Sequence, residues 1–147
     1  LTLLTDQGEL VPEVYLPCRR SRREYKSKSV VFQVPLFPGY LFARFNPRDK
    51  STLFRIAPLA GTIEIPEQKH FTRQLNDLKT ILRQPAAISP CPFVTIGKRV
   101  RITSGQFKGI EGIVRRRSGK SRLILSIDIL QQSVEVELEA DLIALAA

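Results

Sequence analysis

The chain has 147 residues, 43 % hydrophobic and 25 % charged, a globular composition that excludes a disordered tail and suffices for one ordinary domain or two small ones. Its 23 Lys and Arg against 14 Asp and Glu give a formal net charge of +9; this favours an anionic partner such as DNA or RNA, with a generically basic surface as the alternative. One histidine, two distant cysteines (Cys18 and Cys91) and no apolar run near ~20 residues argue against a metal cluster, acid–base catalysis and a membrane-spanning helix.

Residues 1–10, LTLLTDQGEL, read as the end of a helix stopped at Gly8. Leu1 opens the chain and Met is absent throughout, so a trimmed chain is expected. No leader pattern opens it either, so a cytoplasmic protein with reduced thiols is expected. VPEVYLPC alternates as a short strand. RRSRREYKSKS, residues 19–29, holds six basic residues and one acid. Without apolar periodicity it reads as an exposed loop or hairpin tip. Its Arg19, Arg20, Arg22, Arg23, Lys26 and Lys28 either contact nucleic acid or simply solubilise the loop.

VVFQVPLFPGYLFARF returns to strand character, but Pro35 and Pro38 cannot donate ladder hydrogen bonds, so the chain must bend or lie on an edge there. Gly39 permits the turn. Leu36, Phe37, Tyr40, Phe42 and Phe45 crowd this stretch and are either core or a docking surface. NPRDKSTLFRIA, 46–57, reads as a short helix with Asn46 as N-cap and Pro47 at its first position, ended by Pro58. TIEIP, 62–66, reads as a short strand. Beyond it, Phe71, Leu75, Leu78 and Leu82 recur at helical spacing and predict an amphipathic helix.

QPAAISPCP, 84–92, is rich in proline and small residues and reads as a linker. KRVRIT, IEGIVRRR, RLILSI and VEVEL then alternate as short strands, predicting a small antiparallel barrel. Its interior would hold Val100, Ile102, Ile113, Leu123, Leu125, Ile127, Val136 and Leu138. The tail ADLIALAA has helical propensity, but SVEVEL alternates as a strand, so a barrel is expected. Residues 98–122 carry nine basic side chains and only Glu111, whereas 123–147 carry five acids and no base. Arg115, Arg116, Arg117, Lys120 and Arg122 either touch a phosphate backbone or an acidic protein, or form a solvated hairpin.

VRITSGQFKGIEGIV places Gly105, Gly109 and Gly112 around Phe107. Such glycines suit positive φ or a backbone passing too close for a Cβ. The stretch resembles the KOW motif of an SH3-like barrel, with Gln106 where the family usually has proline. LSIDILQQSVEVELEADLIAL is similar to the closing strands of the NusG carboxy-terminal domain. LFPGYLF, after a basic loop and before an NP-led helix, resembles the NusG amino-terminal domain and its RfaH-like branch, the antiterminators of polysaccharide operons.

The resemblance implies an α+β chain: a NusG N-terminal-type α/β sandwich domain over 1–83, lacking its first strand and part of its first helix, a linker over 84–93 and a KOW SH3-like barrel over 94–147. It implies a non-enzymatic transcription elongation and antitermination factor without cofactor. No P-loop or Ser-His-Asp set contradicts this. Phe37, Tyr40 and Phe42 match positions that bind the β′ clamp helices of RNA polymerase, and Ser51 and Thr52 fall near those that touch its gate loop. The basic loop would reach upstream or non-template DNA, and the KOW domain would recruit ribosomal protein S10 or the termination factor Rho. A KOW-type ribosomal or RNA-binding protein is the alternative; it accounts for the charge but not for the aromatic strand.

Overall fold

The computed structural model describes residues 13–55 and 58–138 in full, and the backbone of 3–5, 8–10, Ile56 and 145–146. β1 (Leu3–Thr5) and β2 (Gly8–Leu10) pair antiparallel, with Leu3 opposite Leu10. The expected helix end is therefore a hairpin at its described residues. A three-residue apolar run is too short to separate a period of 3.6 from one of 2.

β3 (Glu13–Tyr15) leads into β4 (Cys18–Tyr25), which turns at Lys26–Ser27 into β5 (Lys28–Pro35). Of the two readings of the basic stretch, loop or hairpin tip, the second holds: residues 19–29 run along β4, through the turn and into β5. Lys26 takes a positive φ, as the first residue of a tight two-residue hairpin turn must. Pro35 ends this ladder, and the Leu36 N–H donates to the Pro17 carbonyl at 2.8 Å. Phe37, Pro38, Gly39 and Tyr40 then form a turn closed by the Tyr40 N–H on the Phe37 carbonyl at 3.1 Å. Gly39 supplies its φ of +84°, a conformation that side chains with a Cβ rarely adopt. β6 (Phe42–Arg44) runs back beside β3, with Tyr15 opposite Phe42.

Asn46 accepts from the Arg48 N–H at 3.1 Å and caps a 3₁₀ turn that continues into α1 (Lys50–Ile56). Ala57 lies outside the described residues. The strand expected at 62–66 is absent: those residues join no ladder, and instead Lys50 reaches Glu64 at 3.3 Å and Gln68 donates to the Ile65 carbonyl. α2 (Gln68–Leu82) buries Leu78 and Ile81 completely, with Phe71, Leu75 and Leu82 flanking them.

The expected linker is largely structured. β7 (Ile88–Cys91) pairs with a later strand, β11, and Ile88 stands opposite Val136. Alternating Ile88 and Pro90 suit an edge strand, where a missing N–H costs nothing. Next come β8 (Arg99–Ile102), β9 (Glu111–Arg117), β10 (Lys120–Ile127), a 3₁₀ turn at 128–130, β11 (Gln132–Leu138) and β12 (Leu145–Ala146). They form one antiparallel sheet in the order β12-β8-β9-β10-β11-β7. Residues 139–144, expected among the closing strands, lie outside the described residues. All eight expected interior residues are buried. Ile113 belongs not to the main core but to a small cluster with Val94 and Ile124 on the other face of the sheet.

Helices are few and strands dominate, compatible with a NusG-like fold followed by a β-barrel region. Among the described residues the first part holds three two-stranded ladders, where the expected sandwich would have a single sheet. Its prolines break the ladders where a central strand would have to donate. Leu36, Phe37, Phe42, Leu78 and Ile81 share one apolar cluster with the interior of the barrel region. α2 packs against β10, and His70 Nε2 lies 2.9 Å from Asp128 Oδ2 across that contact.

A Cβ on Gly112 would lie 2.6 Å from the Ile124 carbonyl oxygen and 2.8 Å from a Leu123 methyl. Gly112→Ala should therefore destabilise the fold by about 1–3 kcal/mol in urea unfolding. Asp77, on the α2 face toward β9, has its carboxyl pushed up, chiefly by burial. A raised folded pKa contributes stability at low pH that is lost as pH rises through it. Asp77→Asn should thus unfold at a higher denaturant midpoint than wild type near neutral pH, and the gain should vanish toward roughly pH 3.

Candidate docking face and basic surfaces

The aromatic residues of 35–45 divide by depth. Phe37 is 1 % exposed and Phe42 is 9 % exposed. The Phe42 ring has three aromatic neighbours: Tyr15 stacked at 6.4 Å, Phe37 edge-on at 6.2 Å and Phe71 edge-on at 5.3 Å. Such geometries contribute beyond area burial. Lys79 Nζ sits 4.5 Å above the Tyr15 ring, and burial holds the Tyr15 hydroxyl above its ordinary pKa. Phe37 is therefore core, and Phe42 is largely buried, with its remaining surface on a groove shared with Tyr15 and Phe71. Tyr40 differs: it is 39 % exposed at the end of the Pro38–Gly39 turn. Leu41 follows it, also exposed, and Leu16 continues β3 on the adjoining chain, opposite Leu41 by extension of the register. The sequence reading missed Leu16 and Leu41, because their exposure follows from where the β3–β6 ladder ends. Arg44 extends outward to Glu13 at 3.0 Å, so the end of the strand is exposed to solvent while Phe42 packs inward. Ser51 and Thr52 occupy the first turn of α1, Ser51 exposed and Thr52 half-buried.

The basic residues of 19–28 are distributed by strand alternation. In the β4–β5 register, Arg19 faces Val34, Ser21 faces Phe32, Arg23 faces Val30 and Tyr25 faces Lys28. Arg20 and Arg22 lie on the opposite face with Glu24. Arg19 is half-buried at the ribbon base, Lys26 is in the turn, and the remaining cations are exposed.

The five cations expected as one patch on the second half do different things. Arg122 Nη1 bonds Glu135 Oε1 at 2.6 Å in a largely buried pair, and Lys120 bonds Glu137 at 2.6 Å. Both are neutralised by acids of β11, which lies beside β10. Arg115 donates to the Ile96 carbonyl at 3.3 Å. Arg116 and Arg117 form no ion pair among the described residues and are exposed at the end of β9. The charge asymmetry read in the sequence is thus partly internal pairing between neighbouring strands.

The glycines around Phe107 behave in two ways. Gly105 and Gly109 take φ of +77° and +89°, and the Gly109 N–H closes the turn on the Ile102 carbonyl at 2.8 Å. Gly112 instead allows β9 to press against β10. Phe107 is completely buried and plugs the core beneath the turn. Cys18 and Cys91 are free. Among the described residues no group of three or more His, Cys, Asp or Glu could hold a metal ion, and no helix is long and apolar enough to cross a membrane.

The family model described as transcription termination factor nusG matches residues 2–92, from the first described strand through the 35–45 stretch to β7. The transcription termination/antitermination protein NusG of Lactococcus lactis subsp. lactis is 26 % identical over 144 residues, covering 92 % of this chain and 76 % of that protein. No solved structure matches the chain significantly.

Removing Arg122 would strand Glu135, whose side chain is only 13 % exposed. Arg122→Ala should therefore lower stability by about 1–3 kcal/mol in urea unfolding. Arg116→Ala should leave it within about 0.5 kcal/mol.

Proposed function

Because the chain belongs to the NusG family, we propose that it is a transcription elongation and antitermination factor that binds RNA polymerase and suppresses pausing or termination. The family match carries this reading, since it spans the 35–45 stretch and the helices around it. The relative in Lactococcus lactis, three quarters of which aligns with this chain, bears a termination/antitermination name.

The polymerase contact is assigned to the clamp helices of the β′ subunit. The exposed Tyr40, held on a turn backed by the buried Phe37 and Phe42, supports it. A rigid aromatic on a fixed turn loses little entropy on docking and buries a large area, the usual character of a binding hot spot. Leu16 and Leu41 supply apolar surface beside it. Phe37 and Phe42 act from below, by fixing the turn. Ser51 and Thr52 would meet the gate loop across the cleft. Binding one conformation of the enzyme more tightly than another shifts it toward the closed, elongating state without any chemistry. The β4–β5 ribbon would meet nucleic acid near the enzyme through its exposed cations. The barrel region would recruit a second partner, ribosomal protein S10 or Rho, at a local concentration raised by the shared chain.

The decisive measurement is binding of the chain to an isolated β′ clamp-helix fragment at physiological salt. Micromolar or tighter binding is expected. Tyr40→Ala should weaken it at least about tenfold while leaving the unfolding midpoint unchanged. Phe42→Ala should instead cost about 3–5 kcal/mol of stability. A folded chain that does not bind, or that binds equally well as Tyr40→Ala, would remove the proposed docking face.

A further inference from the structure

Among the described residues the β4–β5 ribbon pairs with no other strand, and most of its side chains are exposed on both faces. An isolated two-stranded ribbon is marginal in water. This one nevertheless exposes Tyr25, Val30, Val31 and Phe32, which is costly unless something covers them.

The two faces differ. The register puts Tyr25 and Phe32, the ribbon's two aromatic rings, on one face with Arg19, Arg23, Lys28, Ser21, Val30 and Val34. Glu24, the ribbon's single acid, falls on the other with Arg20, Arg22, Val31 and Gln33. One face is therefore cationic and aromatic without a carboxylate. Tyr25 and Phe32 are 53 % and 41 % exposed. They lie four ladder positions apart, about 13 Å along the ribbon, with Arg23 between them and Lys28 opposite Tyr25.

We propose that this face binds single-stranded nucleic acid, with Tyr25 and Phe32 each stacking on an unpaired base and Arg23 and Lys28 holding the intervening phosphates. The inference rests on the reading that the ribbon meets nucleic acid, and adds the form recognised and the means. The cations select an anionic chain. The rings select a strand whose bases are unstacked, since every base then offers a π-face, whereas duplex bases stack on one another. A two-stranded ribbon also fits a duplex major groove, where Arg23 and Lys28 would meet guanine edges. The two exposed rings favour the single strand, because stacked duplex bases leave them no face to cover.

The test uses the full chain and fluorescence anisotropy with labelled mixed-sequence oligonucleotides of about twelve nucleotides. DNA, RNA and duplex forms are compared over a salt series, the first two distinguishing which single strand is preferred. Single strands should bind more tightly than duplex. Phe32→Leu and Tyr25→Leu keep apolar bulk but lose the ring, and each should weaken single-strand binding about five- to a hundredfold with the salt slope retained. Phe32→Tyr should bind like wild type, and Val31→Ala on the other face should change nothing. Arg23→Gln should reduce the salt slope by about 0.7. Far-UV circular dichroism and unfolding midpoints confirm that each variant is folded. If the Leu variants bind like wild type while Arg23→Gln weakens binding, stacking is overturned and the broader nucleic-acid contact stands. If duplex binds more tightly than either single strand, the form proposed is overturned. If folded wild type binds no oligonucleotide, the underlying nucleic-acid reading falls as well.

Discussion

One apolar cluster holds both halves of the chain. Leu78 and Ile81 of α2 are completely buried in it, together with Phe37 and Phe42 from the first half and the inward row of Leu123, Leu125 and Ile127 from β10. Each such side chain contributes about 1.5–3 kcal/mol when fully removed from water. The cluster therefore does more than stabilise the barrel region: it fixes the Pro38–Gly39 turn from below. The exposure of Tyr40 and the burial of Phe42 are two consequences of the same packing.

Polar groups complete what the apolar cluster leaves open. Ser133 is almost fully buried on β11. It accepts from the Val94 N–H at 3.1 Å and lies 2.8 Å from the Ser126 hydroxyl, while Ser126 donates to the Val94 carbonyl at 3.0 Å. A buried hydroxyl without such partners would cost about 1–3 kcal/mol. These three bonds pin the segment after β7 across the sheet and cover Ile113 and Ile124. The Arg122–Glu135 pair acts on the same two strands. The segment after β7 thus covers part of the outer face of the sheet, so a proline-rich stretch that looks like a tether is part of the structure.

The β4–β5 ribbon is built on the opposite logic. Its order comes from the inter-strand ladder and from its attachment beside Pro17 and Leu36, not from a buried face. Elements with few buried apolar contacts open at lower free energy than the core. The Pro38–Gly39 turn, next to the packed rings of Phe37 and Phe42, lies at the other extreme.

Much of this was legible in the residues themselves. Period-2 alternation located β8 to β11, the 3.6-residue spacing located α2, and Asn46–Pro47 marked the 3₁₀ turn that leads into α1. The glycines around Phe107 announced both positive φ and close strand approach, and both occur. The resemblance carried by LFPGYLF pointed to the family that the comparison then established. Short segments were the failures. Residues 3–10 and 62–66 are too brief for their period to be decisive, and strand formation depends on whether a partner is present. Only the tertiary structure decided which aromatic of LFPGYLF is exposed, that Lys120 and Arg122 answer to β11 acids, and which ribbon face carries Tyr25 with Phe32. Local composition sets what a segment can become, but exposure and pairing are set by neighbours distant in the chain.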